Sequence, residues 1–199
     1  NLSDQTGLLA LSGPTAEAVL QPLTNINLAS LGYYELAKGT VCGIENVLIA
    51  TTGYTGERTF EIFMPVAQSE LVWTTLLQEG KSQGIQPVGL GARDTLRLEM
   101  GYMLYGNDID DTTSPLEAGL GWITKLDKGT FVDSETMKAL KASGLKRKLV
   151  AFEMQERAIP RHDYVIQKDG QTVGKVTSGS QSPCLNKGIG LGYVPAELA

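Results

Sequence analysis

Two arginines in the segment 89–110 of this 199-residue chain lie on a helix that is predicted to be buried, where a charge needs a partner. The residues at 90, 96, 98 and 100 are apolar, while Arg93 and Arg97 lie four residues apart, and this predicts a largely buried helix that ends near Glu99 with both arginines on one face. A guanidinium in such a place either pairs with an acid of the protein or binds an anion. Arg93 is therefore a candidate for clamping a ligand carboxylate, with an internal pair to Asp94, Glu99 or a loop acid as the alternative.

A second candidate is Glu61, whose carboxylate interrupts the apolar, strand-like run 60–63. Burying a charge without a partner is expensive, so a partner is expected. A carboxylate there can bind a ligand edge with two adjacent N–H donors through parallel hydrogen bonds. The alternative is an edge strand on which Glu61 faces water.

The other reactive residue types do not form a recognisable catalytic or metal pattern. His162 is the single histidine, so neither a histidine-rich metal cluster nor a histidine-based triad is expected. Cys42 and Cys184 lie far apart, outside any CxxC spacing, which argues against a zinc site or a disulfide framework and favours a reducing compartment. Tyr102, Tyr105 and Trp122 could line a ligand pocket, but aromatic residues at such intervals are more often part of the core.

Composition narrows the class of protein. With 42% hydrophobic and 20% charged residues, the chain is expected to be a soluble globular protein of one large or two modest domains. A net charge of −5 gives no basic field for phosphates, which argues against nucleic acid as a partner. The sequence has no apolar run long enough for a membrane span, so no membrane association is predicted.

Strand-like and helix-like patterns alternate along the chain, which predicts an α+β fold. The predicted elements are strands over 8–12, 41–52 and 60–64 with a turn at 53–56, helices over about 15–24, 72–79, 88–99 and 134–140, and β-rich structure from 149 with a hairpin turn at 168–171. The polar stretch 141–148 predicts a domain boundary, which gives domains at 1–143 and 144–199.

Several motifs, taken together and in order, resemble the glycine-cleavage T-protein family of tetrahydrofolate-dependent aminomethyltransferases. They are Leu-Leu-Ala-Leu-Ser-Gly-Pro at 8–14, Thr-Gly-Tyr-Thr-Gly-Glu at 52–57 followed by Phe-Glu-Ile at 60–62, Gly-Ala-Arg-Asp-Thr-Leu-Arg-Leu-Glu at 91–99, Tyr-Gly-Asn-Asp-Ile-Asp at 105–110, and Pro-Leu-Glu-Ala-Gly-Leu-Gly-Trp at 115–122. The segments 176–183 and 190–194 extend the resemblance into the family's C-terminal barrel. The fold it implies is the C-terminal portion of a folate-binding domain, with antiparallel sheets and packed helices, followed by an incomplete small β-barrel.

The resemblance implies an activity and its participants. T-proteins transfer the methylene of an aminomethyl group, carried on the lipoyl arm of H-protein, to tetrahydrofolate with release of ammonia and without a metal. The implied partners are lipoylated H-protein and tetrahydrofolate, in the cytoplasm or the mitochondrial matrix. By position in the matching motifs, Glu61 resembles the family's pterin-binding glutamate and Arg93 its ligand-binding arginine.

Full-length family members also carry an N-terminal segment with a catalytic aspartate and a C-terminal tail with a further ligand-contacting residue. The chain is therefore expected to be a fragment that has no catalytic residue of its own and little or no activity alone.

Three alternatives to an aminomethyltransferase stay open. A folate-binding relative in iron–sulfur assembly or tRNA modification would carry a Lys-Gly-Cys motif where 128–134 lacks the cysteine. The others are the folate domain of a dimethylglycine or sarcosine oxidoreductase and a non-catalytic interaction fragment.

Overall fold

The computed structural model describes residues 1–199, which divide into two compact units, Asn1–Leu96 and Arg97–Ala199. Both units combine an antiparallel sheet with helices, so the predicted α+β class is confirmed. The first unit holds β1 (Thr6–Ser12), α1 (Ala16–Leu20), β2 (Leu36–Val41), β3 (Ile44–Ala50), β4 (Thr59–Pro65), α2 (Ser69–Glu79) and the larger part of α3 (Leu90–Glu99). The second holds α4 (Ser134–Ser143), β5 (Arg147–Glu153), β6 (Val165–Lys168), β7 (Gln171–Ser182) and β8 (Lys187–Pro195).

The first sheet has the strand order β1-β4-β3-β2, with every neighbouring pair antiparallel. Successive side chains of a strand point to opposite faces, and in β4 the residues Phe60, Ile62 and Met64 are buried in the core. Glu61 and Phe63 therefore lie on the opposite face of the sheet. Because β4 is paired on both sides, the alternative that Glu61 lies on an edge strand is wrong.

Two predicted elements of the first unit differ from the structure. The strand expected over 41–52 is interrupted by a tight turn at Cys42 and Gly43, whose φ angles of 50° and 79° are both positive, as a two-residue hairpin loop requires. The helix expected over 15–24 ends at Leu20 and continues as a 3-10 turn over Gln21–Leu23. Pro22 lies in that turn and, having no backbone N–H, cannot continue the α-helical hydrogen bonding.

The expectation that α3 is largely buried is wrong. Only Arg97 and Leu98 are buried in it, whereas Leu90 is 83% exposed and Arg93 is also exposed. Leu96 and Leu98 lie two residues apart on a helix with about 3.6 residues per turn, so they point to different sides and do not form one apolar stripe.

The aromatic side chains that follow α3 also differ from expectation. Tyr102 is 36% exposed and Tyr105 is 65% exposed, so the interpretation of these residues as core is wrong. They lie in a segment with little regular structure, where no repeating pattern directs side chains toward a core.

The second sheet has the order β5-β8-β7-β6 and is also antiparallel throughout. The hairpin turn predicted at 168–171 is confirmed, because β6 ends at Lys168, β7 begins at Gln171, and Asp169 and Gly170 both have positive φ. The domain boundary predicted near residue 143 stays a prediction.

A buried ion pair lies in the second unit. Arg97 Nη1 is 2.8 Å from Asp108 Oδ2, and both side chains are almost fully inaccessible. Arg97 also donates to the carbonyl of Tyr102 and to Ser178 Oγ on β7. Asp108 accepts further hydrogen bonds from Ser178 Oγ, Thr177 Oγ1 and the Leu104 N–H. Of the two possibilities considered for a buried arginine of this helix, Arg97 therefore shows the internal pair with an acid of the protein.

Glu99 ties the end of α3 to the turn between β7 and β8. Its Oε1 accepts hydrogen bonds from Ser182 Oγ and the Cys184 N–H. Burial raises the pKa of Glu99, but these hydrogen bonds outweigh it and lower the pKa overall. The same carboxylate raises the pKa of the Cys184 thiol. Glu99 therefore stabilises the second unit through hydrogen bonds. The internal Arg93–Glu99 pair considered from the sequence is not among the ion pairs of the structure.

Candidate functional site

The loop 51–58, between β3 and β4, contacts both residues that the sequence nominates for ligand binding. Thr52 contacts Glu61, and Tyr54 contacts Arg93. Consecutive Cα atoms are about 3.8 Å apart, so the two contact points are separated by no more than about 7 Å of backbone. The structure thus brings Glu61 and Arg93 to one short loop within the first unit.

The sheet face around Glu61 is apolar on the side of Phe63, whereas the Ser12–Thr59 pair forms the row on the other side. The direct neighbours of Glu61 in the ladder are Ala10 on β1 and Ala50 on β3, and the next row on that face pairs Phe63 with Leu8 and Leu48. The Thr52 hydroxyl donates a hydrogen bond to Glu61 Oε2. A partly buried carboxylate with two alanines beside it and one hydroxyl donor keeps most of its acceptor capacity for a ligand.

Arg93 is held by an aromatic ring. Its guanidinium carbon lies 4.6 Å from the centroid of the Tyr54 ring, within the range of a cation–π interaction. The side chain is exposed, so it is accessible to an anionic ligand while it is stacked on the ring. Stacking restrains a flexible side chain without neutralising its charge.

Hydroxyl groups fix the loop to the sheet. Ser12 Oγ lies 2.5 Å from Thr55 Oγ1 and 2.6 Å from Thr59 Oγ1, and Thr59 Oγ1 donates in turn to the Glu57 carbonyl at 3.1 Å. The loop packs directly against Thr59 at Gly53, because a Cβ at that position would lie 2.4 Å from the Cβ of Thr59. The loop is therefore anchored on both sides of Tyr54.

Gly53→Ala is expected to destabilise the first unit by about 1–3 kcal/mol, because the added methyl overlaps Thr59 and forces the loop from the sheet. Amide hydrogen exchange in β1 and β4 measures the loss. The matched control is Gly89→Ala, where a Cβ meets no atom within 4 Å. Equal protection in the Gly53 and Gly89 variants would contradict the packing argument.

The family comparisons agree with the motif pattern. The model of the GCVT N-terminal domain matches residues 1–128, and that of the glycine cleavage T-protein C-terminal barrel domain matches residues 147–199. The chain belongs to the glycine cleavage T-protein family. The resemblance found in the sequence is thereby confirmed.

Two curated relatives and one solved structure show how far the similarity to T-proteins extends. The aminomethyltransferase of Flavobacterium psychrophilum is 54% identical over all of this chain and 55% of its own length, and that of Porphyromonas gingivalis is 52% identical over all of this chain and 56% of its own. The crystal structure of glycine cleavage system aminomethyltransferase T from Bartonella henselae matches with a TM-score of 0.86 and 34% identity, covering 96% of this chain and 52% of that one. The chain thus spans about half the length of the curated relatives it matches.

The features that the sequence offers for metal binding and for membrane insertion were compared with the structure. No three His, Cys, Asp or Glu side chains form a group that could hold a metal ion. His162 contacts the Thr177 carbonyl through Nδ1 at 2.6 Å and lies 3.6 Å from Asp163, away from the loop 51–58 in sequence. None of the helices combines the length and apolar character of a transmembrane segment.

The sequence nominates Glu61 and Arg93 but does not indicate the side chains that contact them, Thr52 and Tyr54. The sequence predicts Thr52 as the last residue of a strand and Tyr54 as part of the turn 53–56, and neither prediction concerns the contacts of their side chains. The available signal was their chemistry, since a hydroxyl and an aromatic ring flank Gly53, where only a glycine fits against Thr59.

Proposed function

We propose that this chain forms part of an aminomethyltransferase that transfers the methylene of the aminomethyl-dihydrolipoyl group of H-protein to tetrahydrofolate, with release of ammonia. The names of the relatives support this activity, and the shared loop contacted by Glu61 and Arg93 is the observation that carries it. Tetrahydrofolate and lipoylated H-protein are the proposed substrates. The proposed setting is glycine catabolism in the cytoplasm, or in the mitochondrial matrix of a eukaryote.

The two nominated residues take different parts of the folate in this proposal. Glu61 accepts two hydrogen bonds from the 2-amino group and the adjacent ring N–H of the pterin, a charge-assisted bidentate contact. Arg93, stacked on Tyr54, clamps a carboxylate of the ligand. The reaction joins folate N5 to the methylene carbon as the carbon–sulfur bond breaks, so the protein acts mainly by placing the two reactants and stabilising charge, without a metal.

The proposed division of labour follows the two domains expected from the sequence. We assign residues 1–143 to the folate-binding domain and residues 144–199 to the barrel domain. The matched family regions, 1–128 and 147–199, support this assignment.

Calorimetric titration of tetrahydrofolate into the chain tests the proposal. Glu61→Gln keeps the shape of the side chain and removes its charge, so it is expected to weaken binding about tenfold or more, the range for hydrogen bonds to charged groups. The matched control is Glu45→Gln, an exposed carboxylate on β3 of the same sheet, which is expected to change the affinity less than about twofold. Binding that is unaffected by Glu61→Gln, or no binding at all, would contradict a folate site built by these residues.

A further inference from the structure

The Glu61 carboxylate receives its hydrogen bond from one side chain. Thr52 Oγ1 donates to Oε2, whereas the ladder neighbours Ala10 and Ala50 have no polar side-chain atom. A glutamate side chain that is free to rotate loses rotamer entropy when a ligand immobilises it. A carboxylate that is already held has less entropy to lose on binding.

Thr52 is well suited to hold that carboxylate. Threonine is β-branched and stiff at χ1, so its hydroxyl has few alternative directions. The backbone that follows it is fixed as well, because Gly53 packs directly against Thr59, which shares hydroxyl contacts with Ser12. The donor is therefore rigid at both its backbone and its side chain.

The hydrogen bond also leaves the acceptor capacity that a pterin needs. An ionised carboxylate offers about four lone-pair sites, and Thr52 occupies one of them on Oε2. Oε1 and the remaining site on Oε2 are left for two parallel N–H donors. Two neighbouring N–H groups require both oxygens to lie in the plane of the ligand, and rotation of the carboxylate would break that match.

We propose that Thr52 is a positioning residue that fixes the Glu61 carboxylate for the two N–H groups of the pterin edge. This inference rests on the proposed function, since it deepens the role of Glu61 in folate binding. It makes the Thr52 hydroxyl a determinant of affinity without direct contact to the ligand.

The first test compares tetrahydrofolate affinities of Thr52→Val, which is isosteric but lacks the hydroxyl, and Thr52→Ser, which keeps it. Thr52→Val is expected to weaken binding about tenfold, and Thr52→Ser less than about twofold. In the Glu61→Gln background, Thr52→Val is expected to have little further effect, because both changes act on one interaction. Unchanged affinity of Thr52→Val, or an equal loss with and without Glu61→Gln, would overturn the proposal.

A second measurement separates this inference from the proposed function, because it needs no ligand. In chain labelled with ¹³C-glutamate, three-bond couplings report whether Glu61 occupies one rotamer. We expect a single rotamer in the natural chain and in Thr52→Ser, and averaging in Thr52→Val. Averaging in the natural chain would overturn the role of Thr52, whereas a fixed rotamer without any folate binding would refute the proposed function and leave Thr52 as the anchor of Glu61.

Discussion

Asp108→Ala is expected to lower the free energy of unfolding by about 3–5 kcal/mol, the range for removal of one partner from a buried ion pair. The change removes the carboxylate that lies 2.8 Å from the Arg97 guanidinium, which is 1% exposed. It also removes the acceptor for Ser178, Thr177 and the Leu104 N–H. Urea denaturation followed by circular dichroism measures the loss, and hydrogen exchange in β7 and β8 locates it.

Two further variants are controls for the effect of Asp108→Ala on stability. Asp111→Asn changes an exposed acid three residues away and is expected to alter stability by less than about 0.5 kcal/mol. Combining Arg97→Met with Asp108→Leu removes both charges and is expected to recover part of the loss, since replacing a buried ion pair by apolar residues costs less than removing one partner. Equal effects of Asp108→Ala and Asp111→Asn would show that the buried pair contributes little to stability.

Arg93 is exposed and Arg97 is buried, a difference that the sequence does not predict. Helical spacing correctly placed both arginines about one turn apart on the helix that ends at Glu99. It could not tell which arginine is buried, because the partners of Arg97 are supplied by Asp108 and by Ser178, which lies 81 residues further along the chain. Local periodicity contains no information about such distant partners.

The surroundings of Glu61 also depend on contacts between residues that are distant in sequence. The sequence predicts a strand over 60–64 with Glu61 interrupting its apolar run, and the structure places the carboxylate opposite the core-facing side chains. Whether β4 is an edge or an interior strand depends on its pairing with β1 and β3, which the pattern of a single strand does not encode. The Thr52–Glu61 hydrogen bond depends in turn on how the loop folds back, and the turn residues predict only that a turn is present.

The turn at Cys42 and Gly43 was missed for a specific chemical reason. Asparagine, aspartate and glycine mark such turns because they tolerate positive φ, and the Asp169–Gly170 turn was found in that way. Cysteine carries no such signal, so the apolar run through Val41 was read as one continuous strand. The prediction was correct where the turn residues are typical and wrong where one of them is not.

The chain by itself is expected to catalyse aminomethyl transfer at least about 100-fold more slowly than the full-length relative from Flavobacterium psychrophilum, since one general acid–base group alone contributes about 10²–10⁴. The two proteins are 54% identical where they match, but this chain corresponds to 55% of the relative's length. The family resemblance implies, as an expectation, that the catalytic aspartate lies in the part of T-proteins that this chain does not match. Formation of methylene-tetrahydrofolate from aminomethylated H-protein and tetrahydrofolate measures the rate.

The full-length relative, assayed with the same H-protein, is the control for the substrates, and a rate near its own would contradict the prediction. The transfer rate and the tetrahydrofolate titration together separate folate binding from catalysis. Binding that depends on Glu61 without transfer would show that the first unit carries recognition of the folate, while the reacting group lies elsewhere in the T-protein. Transfer without dependence on Glu61 would instead require a folate site that does not involve the loop 51–58.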